Sequence, residues 1–133
     1  MSDRIYRLYR YGNLLISRGA IGDNEKTKQV RLLVDTGSSY TVLRTSILTA
    51  IGGEVSDRQE RIMTPQGMMT APVIIAPWFS CFGRRVDRFP IVAHDLPSGA
   101  FVQGLLGMDF LTRFDFDIII SLREGLVRYR QEE

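Results

Sequence analysis

The residues best suited to chemistry are Asp35-Thr36-Gly37-Ser38, which follow directly on the apolar run Leu32-Leu33-Val34. Such a run drives a strand into the interior, and a carboxylate at its end is costly unless polar groups satisfy it. The residues that follow can do so. Gly37 tolerates a tight turn and exposes its N–H, while Thr36 and Ser38 bring hydroxyls. A carboxylate held this way can take or give a proton in general acid–base chemistry. The same residues also fit an ordinary Asx-type turn at the end of a strand.

Other polar groups offer less. His94 beside Asp95 invites a nucleophilic triad, yet no nucleophile-elbow pattern accompanies it. His94 then reads as a loop residue before Leu96-Pro97-Ser98-Gly99. A lone histidine and a lone cysteine, Cys81, fall short of the usual zinc ligand set, so neither metal nor cofactor is expected. Asp109, Asp115 and Asp117 read as solvated or helix-capping, and Trp78 as a core or dimer-contact residue. Arg4, Arg7 and Arg10 alternate with Tyr6, Tyr9 and Tyr11, a pattern able to stack on nucleic acid. The reading adopted is an edge strand with solvated charges, which also discourages aggregation. No nucleic-acid partner is expected.

These groups must be positioned by a small scaffold. The 133 residues fit one domain, spanning 1–133, with 44% hydrophobic and 24% charged residues and a net charge of +2. The single cysteine excludes an internal disulfide and favours a reduced, cytoplasmic setting. The first ten residues carry charges where a secretion signal would be apolar. The most apolar window, Met68 to Gly83, is too short for a membrane span and holds Pro72 and Pro77.

Short β-type runs between turn residues point to an all-β barrel or sandwich. Strands are predicted at Leu14–Ala20, Gln29–Val34 and Thr41–Leu43. A helix over Thr45–Ile51, capped by Thr45 or Ser46 and stopped by Gly52-Gly53, follows from its end signals. Arg61–Val73 folds as a hairpin about Thr64-Pro65-Gln66-Gly67, whose proline and glycine positions suit a type I turn. A second hairpin joins Phe79–Phe82 to Val86–Val92 about Gly83-Arg84-Arg85. The last pairs Phe114–Ile120 with Leu126–Tyr129 about Glu124-Gly125.

The stretch LLVDTGSSYTVL resembles the signature of the aspartic proteases: an apolar run, Asp-Thr-Gly, then serine or alanine. The second part of that signature, two hydrophobic residues and a glycine, is matched by Leu105-Leu106-Gly107 within GLLGMDFL. With a single Asp-Thr-Gly, the likeness is to the single-domain retropepsins, especially their bacterial and archaeal relatives. It implies a closed β-barrel of the acid protease fold with one or two short helices, one of them over Met108–Arg113. It also implies a homodimer, because each chain supplies one of two aspartates that share a proton and activate a water. Asp35 would carry the chemistry, Thr36 would lock the two loops together, and the Gly37 N–H would support the carboxylate. Ser38 would donate to Asp35, and an acidic optimum is expected. Leu105, Leu106 and Gly107 would pack beneath the loop. Thr64, Pro65, Gln66 and Gly67 would form the tip of a flap closing over an extended peptide, with Met63, Met68 and Met69 available to line pockets.

Viral members pair an acidic residue two positions after the Asp-Thr-Gly glycine with a later arginine. This chain has Ser39 and Met108 at those places, which puts the dimer geometry and the recognition of substrate ends in question. The other function class the resemblance allows is a dimeric peptide-binding or scaffold module with little hydrolysis.

Overall fold

The computed structural model describes residues 2–97, 99–114, 116–120, 123 and 125–131. In chain order the elements are β1 (Ser2–Tyr11), β2 (Leu14–Gly22), β3 (Thr27–Val34), β4 (Val42–Leu43) and α1 (Thr45–Ala50). They continue with β5 (Glu54–Thr64), β6 (Gly67–Cys81), β7 (Arg84–Ala93), β8 (Gly104–Leu106), α2 (Met108–Leu111), β9 (Phe116–Ile120) and β10 (Gly125–Gln131). The strands hydrogen-bond in the order β5-β6-β7-β4-β8-β3-β2-β1-β10-β9, and β6 also pairs with β2. That extra pairing closes β2, β6, β7, β4, β8 and β3 into a barrel, the all-β architecture the sequence implied. Among the described residues no helix is long and apolar enough to cross a membrane.

Closure follows from the length of β6. Its second half runs antiparallel to β7 through Val73↔Val92 to Cys81↔Arg84 and to β2 through Gly19↔Cys81 to Gly22↔Trp78. Alternation along β3 sends Val30 and Leu32 into the core and leaves Arg31 and Leu33 half-buried. The interior is filled by fully buried Phe79, Phe89 and Phe110. Phe79 and Phe89 stack at 5.3 Å, and Phe110 meets them edge-on at 5.3 and 6.0 Å, geometries their ring quadrupoles favour. Phe110 belongs to α2, so this packing pins that short helix against the barrel.

Several local expectations are corrected. The Arg/Tyr strand β1 lies within the strand order and bridges β10, through Ser2–Leu8, to β2, through Tyr9–Tyr11, so each half is paired on one side only. Among the described residues the order ends at β5 and β9. The β6–β7 turn is tighter than predicted: it consists of Phe82 and Gly83, both at positive φ (53° and 70°), and Arg84 and Arg85 already belong to the ladder. Helix α1 is not capped by Thr45 or Ser46. The Asp95 carboxylate, from the loop after β7, instead accepts the Thr45 N–H at 2.9 Å. Gly52, at φ 74°, does supply the left-handed exit. Of the last predicted hairpin, β9 and β10 pair antiparallel as expected, while Glu124 lies outside the described residues, as do Ser98 and Asp115.

Candidate active site

Asp35 stands at the C-terminal end of β3, where the ladder to β8 is parallel: Leu32↔Gly104, Leu33↔Leu105 and Val34↔Leu106. The pairing continues one step further, since the Asp35 N–H donates to the Leu106 carbonyl at 3.0 Å. β8 is wedged between β3 and β4, with Val42↔Leu105 and Leu43↔Gly104 on its other side. This tight insertion explains the glycines flanking the two leucines. A Cβ on Gly104 would strike the Val42 carbonyl, and one on Gly107 the Tyr40 carbonyl. Leu105-Leu106-Gly107 therefore lies beside the Asp35 loop, as the resemblance implied.

Within the loop, the Gly37 N–H donates to Asp35 Oδ1 at 3.0 Å, and the Ser38 N–H donates to the Asp35 carbonyl at 3.1 Å. The first bond is that of an Asx turn, so the turn reading and the held-carboxylate reading describe one geometry. Gly37 is not at positive φ; its need is for room, since a Cβ there would stand 3.3 Å from Asp35 Oδ1. The expected bond from Ser38 to Asp35 is not made. The Ser38 hydroxyl donates to the Tyr40 carbonyl at 2.7 Å, closing the loop on itself. Asp35 is half-buried, while Thr36 and Gly37 are exposed at the loop's tip.

The loop is tied down from the α2 side by main-chain bonds. The Met108 N–H donates to the Ser38 carbonyl at 2.8 Å and the Asp109 N–H to the Ser39 carbonyl at 3.1 Å. Ser39 and Met108, the places of the ion pair in viral relatives, are thus each held by a main-chain bond, Ser39 to Asp109 and Met108 to Ser38, and not to one another. Beneath them, the buried Thr41 hydroxyl accepts the Gly107 N–H at 3.2 Å and donates to Asp109 Oδ1 at 2.7 Å. Asp109 also accepts the Phe110 N–H at 2.8 Å. It is thus not a solvated carboxylate but a bonded group in the first turn of α2. Burial pushes its pKa up, a shift opposed by the Thr41 and Phe110 donors and the Arg113 charge.

The β5–β6 hairpin turns where the sequence predicted, with Thr64 paired to Gly67 and Pro65-Gln66 between them. Neither central residue is at positive φ, as a type I turn requires, and Gly67 takes φ 108°. The Thr64 hydroxyl accepts the Gln66 N–H and donates to the Gly67 carbonyl at 2.8 Å. The hairpin is longer than predicted, because β5 begins at Glu54.

Between hairpin and loop lies a cleft of about 490 Å³. Asp35, Gly37 and Ser38 border it on one side and Ile62, Met63, Thr64 and Pro65 on another. Met68 and Met69 are exposed but do not line it. A third wall is formed by His94, Leu96 and Pro97, residues read from sequence only as a loop. Trp78 is remote from the cleft: its indole N–H donates to the Asp23 carbonyl at 3.0 Å, and the Arg85 guanidinium lies over its ring. Among the described residues no group of three or more His, Cys, Asp and Glu side chains is gathered in a metal-binding arrangement.

A barrel with a carboxylate loop braced by a second hydrophobic-glycine segment and faced by a hairpin is the retropepsin-like fold. The fold is similar to that of a retropepsin-like aspartic protease from Rickettsia conorii, with a TM-score of 0.65 at 17% identity over 96% of this chain and 94% of that one. The aspartyl protease family profile matches residues 18–110, and the chain belongs to that family. No curated protein matches it in sequence.

Proposed function

We propose that the protein is an aspartic endopeptidase that acts as a homodimer, with Asp35 of each copy forming the catalytic pair. The observation that carries this reading is a half-buried Asp35 at the mouth of a cleft faced by a hairpin, in a loop whose next residues, Thr36 and Gly37, stand exposed. One chain offers one such carboxylate. A two-fold axis through the loop tips brings a second against it and covers the exposed Thr36 and Gly37.

Two carboxylates in contact cannot both ionise, so they hold one proton between them. The ionised member removes a proton from a water, and the oxygen of that water attacks the scissile carbonyl carbon. The protonated member gives its proton to the carbonyl oxygen, forming a neutral gem-diol. As the diol collapses, one of its hydroxyls returns a proton to the ionised member while the protonated member gives its proton to the departing amine, so the carboxylic acid and amine leave and the pair again holds one proton. An extended peptide lying under the hairpin adds backbone hydrogen bonds in β fashion, and hairpin closure excludes water.

The test compares wild type with Asp35→Asn on a peptide library between acid and neutral pH, with the solution mass measured by sedimentation equilibrium. The expected result is a dimer whose cleavage is abolished by the substitution while its fold is retained. A monomer without cleavage at any pH overturns the proposal. A dimer that binds peptides equally well with or without Asp35 and never cleaves them points instead to a scaffold module.

A further inference from the structure

A cation borders the cleft that the proposed chemistry does not use. Arg61 reaches it from the first strand of the hairpin, close to the tip. Its backbone is fixed there. The ladder from Gln59↔Pro72 to Thr64↔Gly67 runs without a break, so Arg61 stays paired with Thr70. The next residue, Ile62, packs on the buried cluster of Val42, Ala71, Val73 and Val92, which seats this part of the strand. Alternation then leaves the Arg61 side chain exposed.

Arginines elsewhere are occupied. Arg58, Arg85, Arg88 and Arg128 pair with carboxylates, while Arg31 and Arg44 donate to main-chain carbonyls. Among the described residues the Arg61 guanidinium has neither kind of partner. The adjacent Glu60 does not serve, because Arg58 already holds its carboxylate at 3.0 Å.

The rest of the border narrows what this guanidinium can meet. Val42, Ile62, Leu96 and Leu105 are apolar, and among the described residues Asp35 is the one carboxylate on the border. The wall of His94, Leu96 and Pro97 is firmly held. The His94 N–H donates to the Leu43 carbonyl at 3.1 Å, and the Arg44 guanidinium donates to the Leu96 and Pro97 carbonyls at 3.0 and 3.2 Å. A preformed apolar cleft with one unfilled guanidinium suits a peptide that brings apolar side chains and a carboxylate. Arginine meets a carboxylate through a planar pair of N–H donors, and the bond strengthens when water is excluded.

We propose that Arg61 is a specificity-determining residue: its guanidinium pairs with an acidic side chain of the substrate and so selects peptides carrying aspartate or glutamate near the scissile bond. The assignment rests on the aspartic endopeptidase reading and adds to it a class of substrate. The simpler role for Arg61 is a charge that discourages pairing at the end of the sheet order. That role does not distinguish glutamate from glutamine in a substrate.

Peptides with one cleavable core are made as twins, Glu against Gln, at each position flanking the scissile bond. They are assayed at pH ~6, where a free glutamate is ionised. Wild type is expected to cleave the Glu twin with kcat/KM about tenfold higher at one position or more, the discrimination a single charge-assisted bond supplies. In Arg61→Met the ratio falls to near unity, and in Arg61→Glu it inverts. The same twins, fluorescently labelled, are titrated by anisotropy into Asp35→Asn and into Asp35→Asn combined with Arg61→Met, with the same ratio and the same loss expected in Kd. Equal cleavage of the twins at every position overturns the selection and leaves the endopeptidase reading standing. So does a Glu preference that survives Arg61→Met. If the wild type cleaves no peptide, the endopeptidase reading fails and the binding arm decides: equal affinity for the twins at every position, or no binding at all, overturns the selection too.

Discussion

Replacing Thr41 with valine tests the brace under the Asp35 loop. The change keeps the shape of a fully buried side chain and removes only its hydroxyl, which joins the Gly107 N–H to the Asp109 carboxylate. The Gly107 donor is left buried and unpaired at a cost of about 1–3 kcal/mol, and the carboxylate loses a charge-assisted bond worth about 1.5–3 kcal/mol. Partial relaxation brings the expected destabilisation to about 2–4 kcal/mol, or roughly 8–16 °C in the melting temperature of a chain this size. The loss is also pH-dependent. The hydroxyl favours the ionised form of Asp109. Its removal therefore costs most at neutral pH and least near pH ~3, where the carboxyl is largely protonated. Urea unfolding of wild type, Thr41→Val and the hydroxyl-retaining Thr41→Ser at both pH values measures this. A valine variant within about 0.5 kcal/mol of the serine variant at neutral pH, or equally impaired at both pH values, would refute the proposed brace.

Three further outcomes are expected. Asp109 has a folded pKa above its ordinary 3.8, so the folded state binds its proton more readily than the unfolded state does. This contribution is favourable below that ordinary value and is lost as pH rises through the folded one; Asp109→Asn removes that decline from the pH–stability profile. Burial pushes the Cys81 thiol up to about 12. A thiol reagent at mildly alkaline pH should then label the native protein far more slowly than the urea-unfolded chain. Ser38→Ala removes a bond to the Tyr40 carbonyl, not one to Asp35. Stability should fall by about 1 kcal/mol while, on the endopeptidase reading proposed above, the pH profile of cleavage stays in place; a profile that moves would show that the hydroxyl reaches the carboxylate in the proposed dimer.

What the sequence made legible was local or carried by a short signature. Asp35-Thr36-Gly37-Ser38 announces itself because an apolar strand running into a carboxylate needs nearby donors, and Gly37 lies two residues away. The hairpin at Pro65-Gln66 was legible because proline fixes one backbone angle and Gly67 supplies a left-handed one. The β6–β7 turn misled for the opposite reason. Phe82 adopts φ 53°, a conformation its residue type disfavours, so the signal shifted to Gly83 and the arginines after it. β1 was read as an edge because its charges suit one. Its partner β10 comes from the far end of the chain, and no local pattern encodes that return.

The groups that brace the site were hidden for the same reason. Thr41 and Asp109 are 68 residues apart, and Asp95 caps a helix 50 residues before it. Neither pairing has a spacing to recognise. Barrel closure creates both: β4 lies between β7 and β8, bringing the chain after each of those strands against the two ends of the loop–helix segment. Once β8 is wedged beside β3, Gly107 must lie against the Tyr40 carbonyl, and a buried N–H so close to a strand needs an acceptor. Thr41 is the neighbour with a hydroxyl to offer, and Asp109 is the group that orients that hydroxyl. The signature glycine thus implies a polar partner beneath it, and the identity of that partner becomes readable only when the strand order is known.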